Sequence, residues 1–123
     1  MDIDWASPAA VIAGLAIIGA TGLGLTISGS PYGTTLLTVH KLVAVALLAI
    51  IAVRALRTEP LPDSAPIWIA VAGVGFVALI ASGGWISAVA SPPQALLWVH
   101  RMAPLPAAAA AIVVSRVLLE AAT

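Results

Sequence analysis

Polar residues interrupt this chain at only a few places. Four long apolar stretches, residues 8–27, 34–53, 66–89 and 92–119, alternate with short breaks rich in glycine, proline and serine. Each has about the 20 mostly apolar residues that a helix needs to cross the hydrocarbon of a bilayer. The pattern therefore predicts an all-α integral membrane protein, a bundle of four helices, with the whole chain (residues 1–123) as one domain.

The predicted starts carry recognisable signals. Ser7-Pro8, Ser64-Ala65-Pro66 and Ser91-Pro92 each place a hydroxyl ahead of a proline, the arrangement expected of a capped first turn. Gly29, Ser30, Pro31 and Gly33 separate the first two spans. "RTEPLPDSAP" (57–66) is the one polar loop and divides the chain into two hairpins. Trp5, Trp68 and Trp98 fall near span ends, where tryptophan favours the membrane interface.

Composition sharpens this picture. The 123 residues are 62% hydrophobic and 8% charged, with a mean hydropathy of +1.14, far from the profile of a water-soluble domain. The formal net charge is zero and no basic tract is present, so nothing points to nucleic acid. The absence of cysteine excludes disulfides, thiolate metal sites and thioether-linked cofactors. The opening "MDIDW" has two acids and no cation, unlike a signal peptide.

The two hairpins repeat one another. "GLAIIGATGLGLTISGSP" (14–31) aligns with "GFVALIASGGWISAVASP" (75–92), matching Gly14 to Gly75, Gly22 to Gly83, Ser30 to Ser91 and Pro31 to Pro92, with Thr21 facing Ser82. After a one-residue gap, "LLTVHK" (36–41) aligns with "LLWVHR" (96–101); these hexapeptides contain both histidines of the chain, His40 and His100. The repeat units are residues 8–56 and 66–119. Since a hairpin returns the chain to its starting side, the copies are parallel repeats about an axis along the membrane normal. His40 lies nine residues past Pro31 and His100 eight past Pro92, which predicts one depth for both, ~12–14 Å from the turns.

In such a bundle, spans joined by short connections are neighbours, so the second and fourth become diagonal partners. The diagonal is roughly 11–14 Å, too wide for two imidazoles to touch and suited to a single metal atom between them. The first and third spans close the other diagonal. At the histidine depth they carry Gly22 and Gly83, beside Gly24 and Gly84, where the edge of a flat macrocycle would press; close helix packing is the alternative use of such glycines.

Inward histidines on the second and fourth spans, flanked by glycine-bearing spans, resemble the haem-binding four-helix bundle of membrane b-type cytochromes. That superfamily includes cytochrome b561-like proteins and the N-terminal half of cytochrome b. The resemblance implies non-covalent haem b with His40 and His100 as axial metal ligands. Many members carry a second histidine about fourteen residues further along each ligand helix; here those positions are Arg54 and Val114, so the resemblance supports one haem per chain. A proton relay, a non-haem metal site or interhelical hydrogen bonding are the other uses of a membrane histidine pair. No Asp or Glu lies inside any predicted span, which disfavours a non-haem metal.

The neighbouring residues have two readings each. Lys41 and Arg101 either snorkel to the interface or meet haem propionates. Thr21 and Ser82 either pack between helices or accept a hydrogen bond from the imidazole N–H facing away from iron. Trp85 lines the pocket or faces lipid. Pro104 has no N–H for the His100 carbonyl, so a kink is expected beyond that histidine.

Two function classes follow. One is a mono-haem electron-transfer cytochrome, exchanging electrons with quinol or anchoring a redox complex, with homo-oligomers as a further partner class. The other is a small four-helix transporter or channel, against which stands the lack of an intramembrane glutamate. Arg54, Arg57 and Arg116 flank one side against Lys41 and Arg101 on the other, which predicts cytoplasmic termini and the histidines nearer the outer face of a prokaryotic cell membrane.

Overall fold

The computed structural model describes residues 7–122. Trp5, Asp2 and Asp4 lie outside the described residues. Four apolar helical segments are each long enough to cross a membrane. They comprise α1 (Pro8–Ser28), α2 (Thr34–Arg57), α3 (Ala65–Ala88) and a fourth segment divided into α4 (Gln94–Met102) and α5 (Pro104–Glu120). The architecture is the all-α four-helix bundle that the hydropathy pattern predicts.

Local chemistry explains the boundaries and corrects some expectations. Ser7 caps α1 as expected, its Oγ accepting from the Ala10 N–H at 3.3 Å. Ser64 does not cap α3: it sits in a right-handed helical conformation within a turn closed by Ala65 N–H to the Pro62 carbonyl, so its hydroxyl is not aimed at the first-turn amides. Ser91 does not cap either, because Pro93 disfavours a helical conformation at Pro92 and α4 starts only at Gln94. α1 ends at Gly29, whose φ of +69° closes the helix with an N–H to the Leu25 carbonyl. α2 runs on to Arg57, where Arg54 and Arg57 place positive charge at the negative end of the helix dipole.

The predicted neighbours are in place. α1 packs on α2, α3 packs on α4 and α5, and the two hairpins meet through α1 with α5 and α2 with α3. The diagonals differ. The backbone of α2 comes close to α5 but not to α4, and that of α1 stays apart from α3; the neighbouring α1 and α4 stay apart as well. The bundle is thus drawn together at the end holding the 58–64 loop.

The buried core occupies that same end. Val11, Leu47, Ile51, Ala65, Phe76, Ala107, Ala111, Val114 and Leu118 form one cluster, all in the halves of their helices far from the hairpin turns. Small residues let α3 and α5 approach closely: a Cβ added at Gly75 would lie 2.9 Å from the Ala107 Cβ. Large apolar side chains such as Ile27, Leu56 and Val74 are mostly exposed, as a lipid-facing surface requires.

Candidate functional site

Both histidines lie beyond this cluster, in the half of the bundle towards the hairpin turns. Each stands six positions beyond the first residue of its helix, His40 in α2 from Thr34 and His100 in α4 from Gln94. At 1.5 Å per residue both are about 9 Å into their helices. This depth is counted from the helix start, and the extended residues after each turn proline come in addition to it. The one-residue difference between the copies is absorbed in the turns, and the depths become equal.

Each imidazole is half-buried and rests on the glycine of its own hairpin partner. A Cβ at Gly22 would lie 3.1 Å from the His40 Cε1, and one at Gly83 only 2.8 Å from the His100 Cε1. The sequence reading put a macrocycle edge against these two glycines, but the structure puts the histidine rings there. Adjacent helices of a hairpin lie closer than diagonal ones, so the neighbour's ring reaches the glycine first. Gly24 instead gives room to Leu36, and Gly84 faces open space.

A polar contact then orients each ring. His40 Nδ1 lies 2.9 Å from Thr21 Oγ1 and 3.1 Å from the Ile18 carbonyl oxygen. A carbonyl only accepts, so Nδ1 carries the proton. The Thr21 hydroxyl spends its own proton on the Ile17 carbonyl at 2.7 Å. His100 Nδ1 lies 2.8 Å from Ser82 Oγ, which also lies 3.1 Å from the Leu79 carbonyl oxygen. A neutral imidazole protonated on Nδ1 presents a lone pair at Nε2. The Ile18 carbonyl thus fixes the tautomer of His40, while at His100 the Ser82 hydroxyl accepts from an Nδ1–H or donates to a bare Nδ1; in both rings Nδ1 is the nitrogen engaged by the neighbouring helix.

No family model, no characterised protein and no solved structure matches the chain. The site is thus read from its own geometry.

The remaining candidates separate into near and far. Lys41 Nζ donates to Ser87 Oγ on α3 at 2.8 Å. Arg101, its counterpart in the repeat, is exposed, and among the described residues no hydrogen bond ties it to a second helix. Trp85 is 60% exposed and stands on the outer surface. Among the described residues no three of His, Asp and Glu come together as a metal cluster. Sequence reasoning missed Ser87 and the Ile18 carbonyl. Ser87 had a signal, since the 61-residue repeat pairs it with Thr26; the carbonyl had none, because main-chain groups leave no mark on side-chain patterns.

Proposed function

We propose that the protein is a membrane-embedded mono-haem b-type cytochrome that transfers electrons. One observation carries this reading: two histidines at equal register, on helices whose backbones stay apart, each with Nδ1 engaged by the neighbouring helix. Two imidazoles without a third protein ligand suit a metal that brings its own equatorial donors. The buried apolar cluster sits in the other half of the bundle, so a flat group between the histidines would not compete with it.

In this reading His40 and His100 would hold the haem iron, and Gly22 and Gly83 seat their rings. Thr21 and Ser82 engage Nδ1, which keeps ligand orientation fixed. Lys41 and Arg101, on the hairpin-turn side, supply positive charge for the two propionates. Bound haem would supply a one-electron couple. The surrounding helices are apolar, so the group would sit in a setting of low polarity.

The setting proposed is the cytoplasmic membrane of a prokaryote, with both termini inside and the histidines nearer the outer face, because Arg54, Arg57 and Arg116 outnumber the cations at the turns. Quinol or a larger redox subunit would exchange electrons with the chain. Reduced spectra of detergent-purified His40→Ala and His100→Ala variants test the reading. Each change is expected to abolish the low-spin six-coordinate signal, and a normal spectrum from either variant would remove the paired-ligand assignment.

A further inference from the structure

The two histidine-bearing segments are alike in sequence and unlike in how they are held. α2 is continuous over 24 residues, buries Leu47 and Ile51, and packs on α1, α3 and α5. α4 has nine residues, none of them buried, and apart from its continuation α5 it packs on α3 alone. Beside His40, Lys41 is bonded across to Ser87 of α3, whereas Arg101 beside His100 has no such tie among the described residues. The His40 Nδ1 has two acceptors, one of them a carbonyl; that of His100 has a single hydroxyl.

The hydrogen-bond ladder of the fourth segment thins just after His100, although Ala103 itself keeps a helical conformation. Ala103 separates α4 from α5, and Pro104 and Pro106 have no N–H to offer the carbonyls of His100 and Met102. α4 is therefore a rigid arm about 13 Å long, joined to the core through a weakened turn. Its backbone does not come close to that of α1. Moving α4 disturbs none of the buried cluster, while moving α2 disturbs contacts with three helices.

From this asymmetry we infer that His40 is the anchoring ligand and His100 the exchangeable one, so that a small uncharged donor such as carbon monoxide or imidazole takes the His100 position. The inference rests on the haem-binding reading above. The exchange is redox-neutral: the Nε2 lone pair of His100 leaves the metal, the imidazole swings out with α4, and the entering donor's lone pair takes the vacated bond. No proton or electron moves.

The test uses the full chain with haem in detergent. Titration of the dithionite-reduced protein with carbon monoxide is expected to give a saturable spectral change. The Pro104→Ala/Pro106→Ala variant, which returns two backbone hydrogen bonds and ties α4 to α5, is expected to bind carbon monoxide roughly tenfold more weakly. His100→Gly is expected to keep its haem and to recover a six-coordinate spectrum with added imidazole. His40→Gly is expected to lose haem roughly tenfold more readily than His100→Gly, the weight of one more hydrogen bond and a firmer helix. Carbon monoxide inertness of the parent protein, or equal haem loss from the two glycine variants, overturns the inference while leaving the bis-histidine site standing. A parent protein that takes up no haem overturns both.

Discussion

Gly83→Ala isolates the seating of the histidine from every other feature of the site. The added Cβ would lie 2.8 Å from the His100 Cε1 and 3.3 Å from its Nε2, while ordinary contact begins at 3.4 Å. The ring must retreat by the difference, 3.4 − 2.8 = 0.6 Å. It does so only by lengthening the 2.8 Å contact of Nδ1 with Ser82 or by carrying α4 away from α3. Overfilling a packed site of this kind costs about 1–3 kcal/mol, against which alanine returns at most about 1 kcal/mol of helix propensity. A net loss of about 1.4 kcal/mol is a tenfold weakening of haem binding. At Gly22 the retreat is 3.4 − 3.1 = 0.3 Å, so the same change there is expected to be close to neutral. Gly84→Ala, next to the site but with nothing within 4 Å, serves as the control. The assay is haem transfer from each purified variant to an excess of a soluble haem-accepting apoprotein, with helix content followed by circular dichroism. If Gly83→Ala retained haem as well as Gly84→Ala, the glycine would be an ordinary packing residue and the argument would fail.

Thr21→Val and Ser82→Ala each remove the hydroxyl partner of an imidazole Nδ1, and loss of such outer partners lowers metal-site affinity by roughly 10–100-fold. Because the Ile18 carbonyl still holds His40 in Thr21→Val, haem titrations should show the larger loss in Ser82→Ala; the reverse order would contradict this reading of the Nδ1 contacts. Gly75→Ala drives a Cβ to 2.9 Å from that of Ala107, between two backbones that cannot yield separately, and should destabilise the bundle by about 1–3 kcal/mol. Thermal unfolding in detergent measures this, and an unchanged midpoint would refute the close α3–α5 approach. A reporter active only in the cytoplasm, fused to the C-terminus, should be active; full expression without activity would invert the proposed orientation.

The four helices were legible because their signal is local and repeated: about twenty apolar residues bounded by proline, glycine and serine. The equality of histidine depth was also legible from the internal repeat. The extended residues after Pro31 and Pro92 absorb the one-residue difference between the copies, and a constant rise per residue cannot foresee that. The neighbours Thr21 and Ser82 could be named because they sit at the histidine level in both copies, and their hydroxyls do meet Nδ1. The seating of each ring on Gly22 or Gly83 was not legible, since sequence spacing gives depth and not which neighbour arrives first. The unequal anchoring of α2 and α4 was only half visible. Pro104 marked the thinned ladder, but the backbone separation of α4 from α1 and α2 is a property of the assembled bundle.

The central claim is that His40 and His100 together hold one haem, and its most direct measurement is haem content per chain with the reduced spectrum of the purified protein. Expressed with an adequate haem supply and extracted in mild detergent, the protein should give sharp low-spin b-type bands and a pyridine haemochrome value near one haem per chain. The His40→Ala/His100→Ala double variant, equally expressed and inserted, should give no low-spin signal. A colourless parent protein, or a haem content near two per chain, would contradict the account.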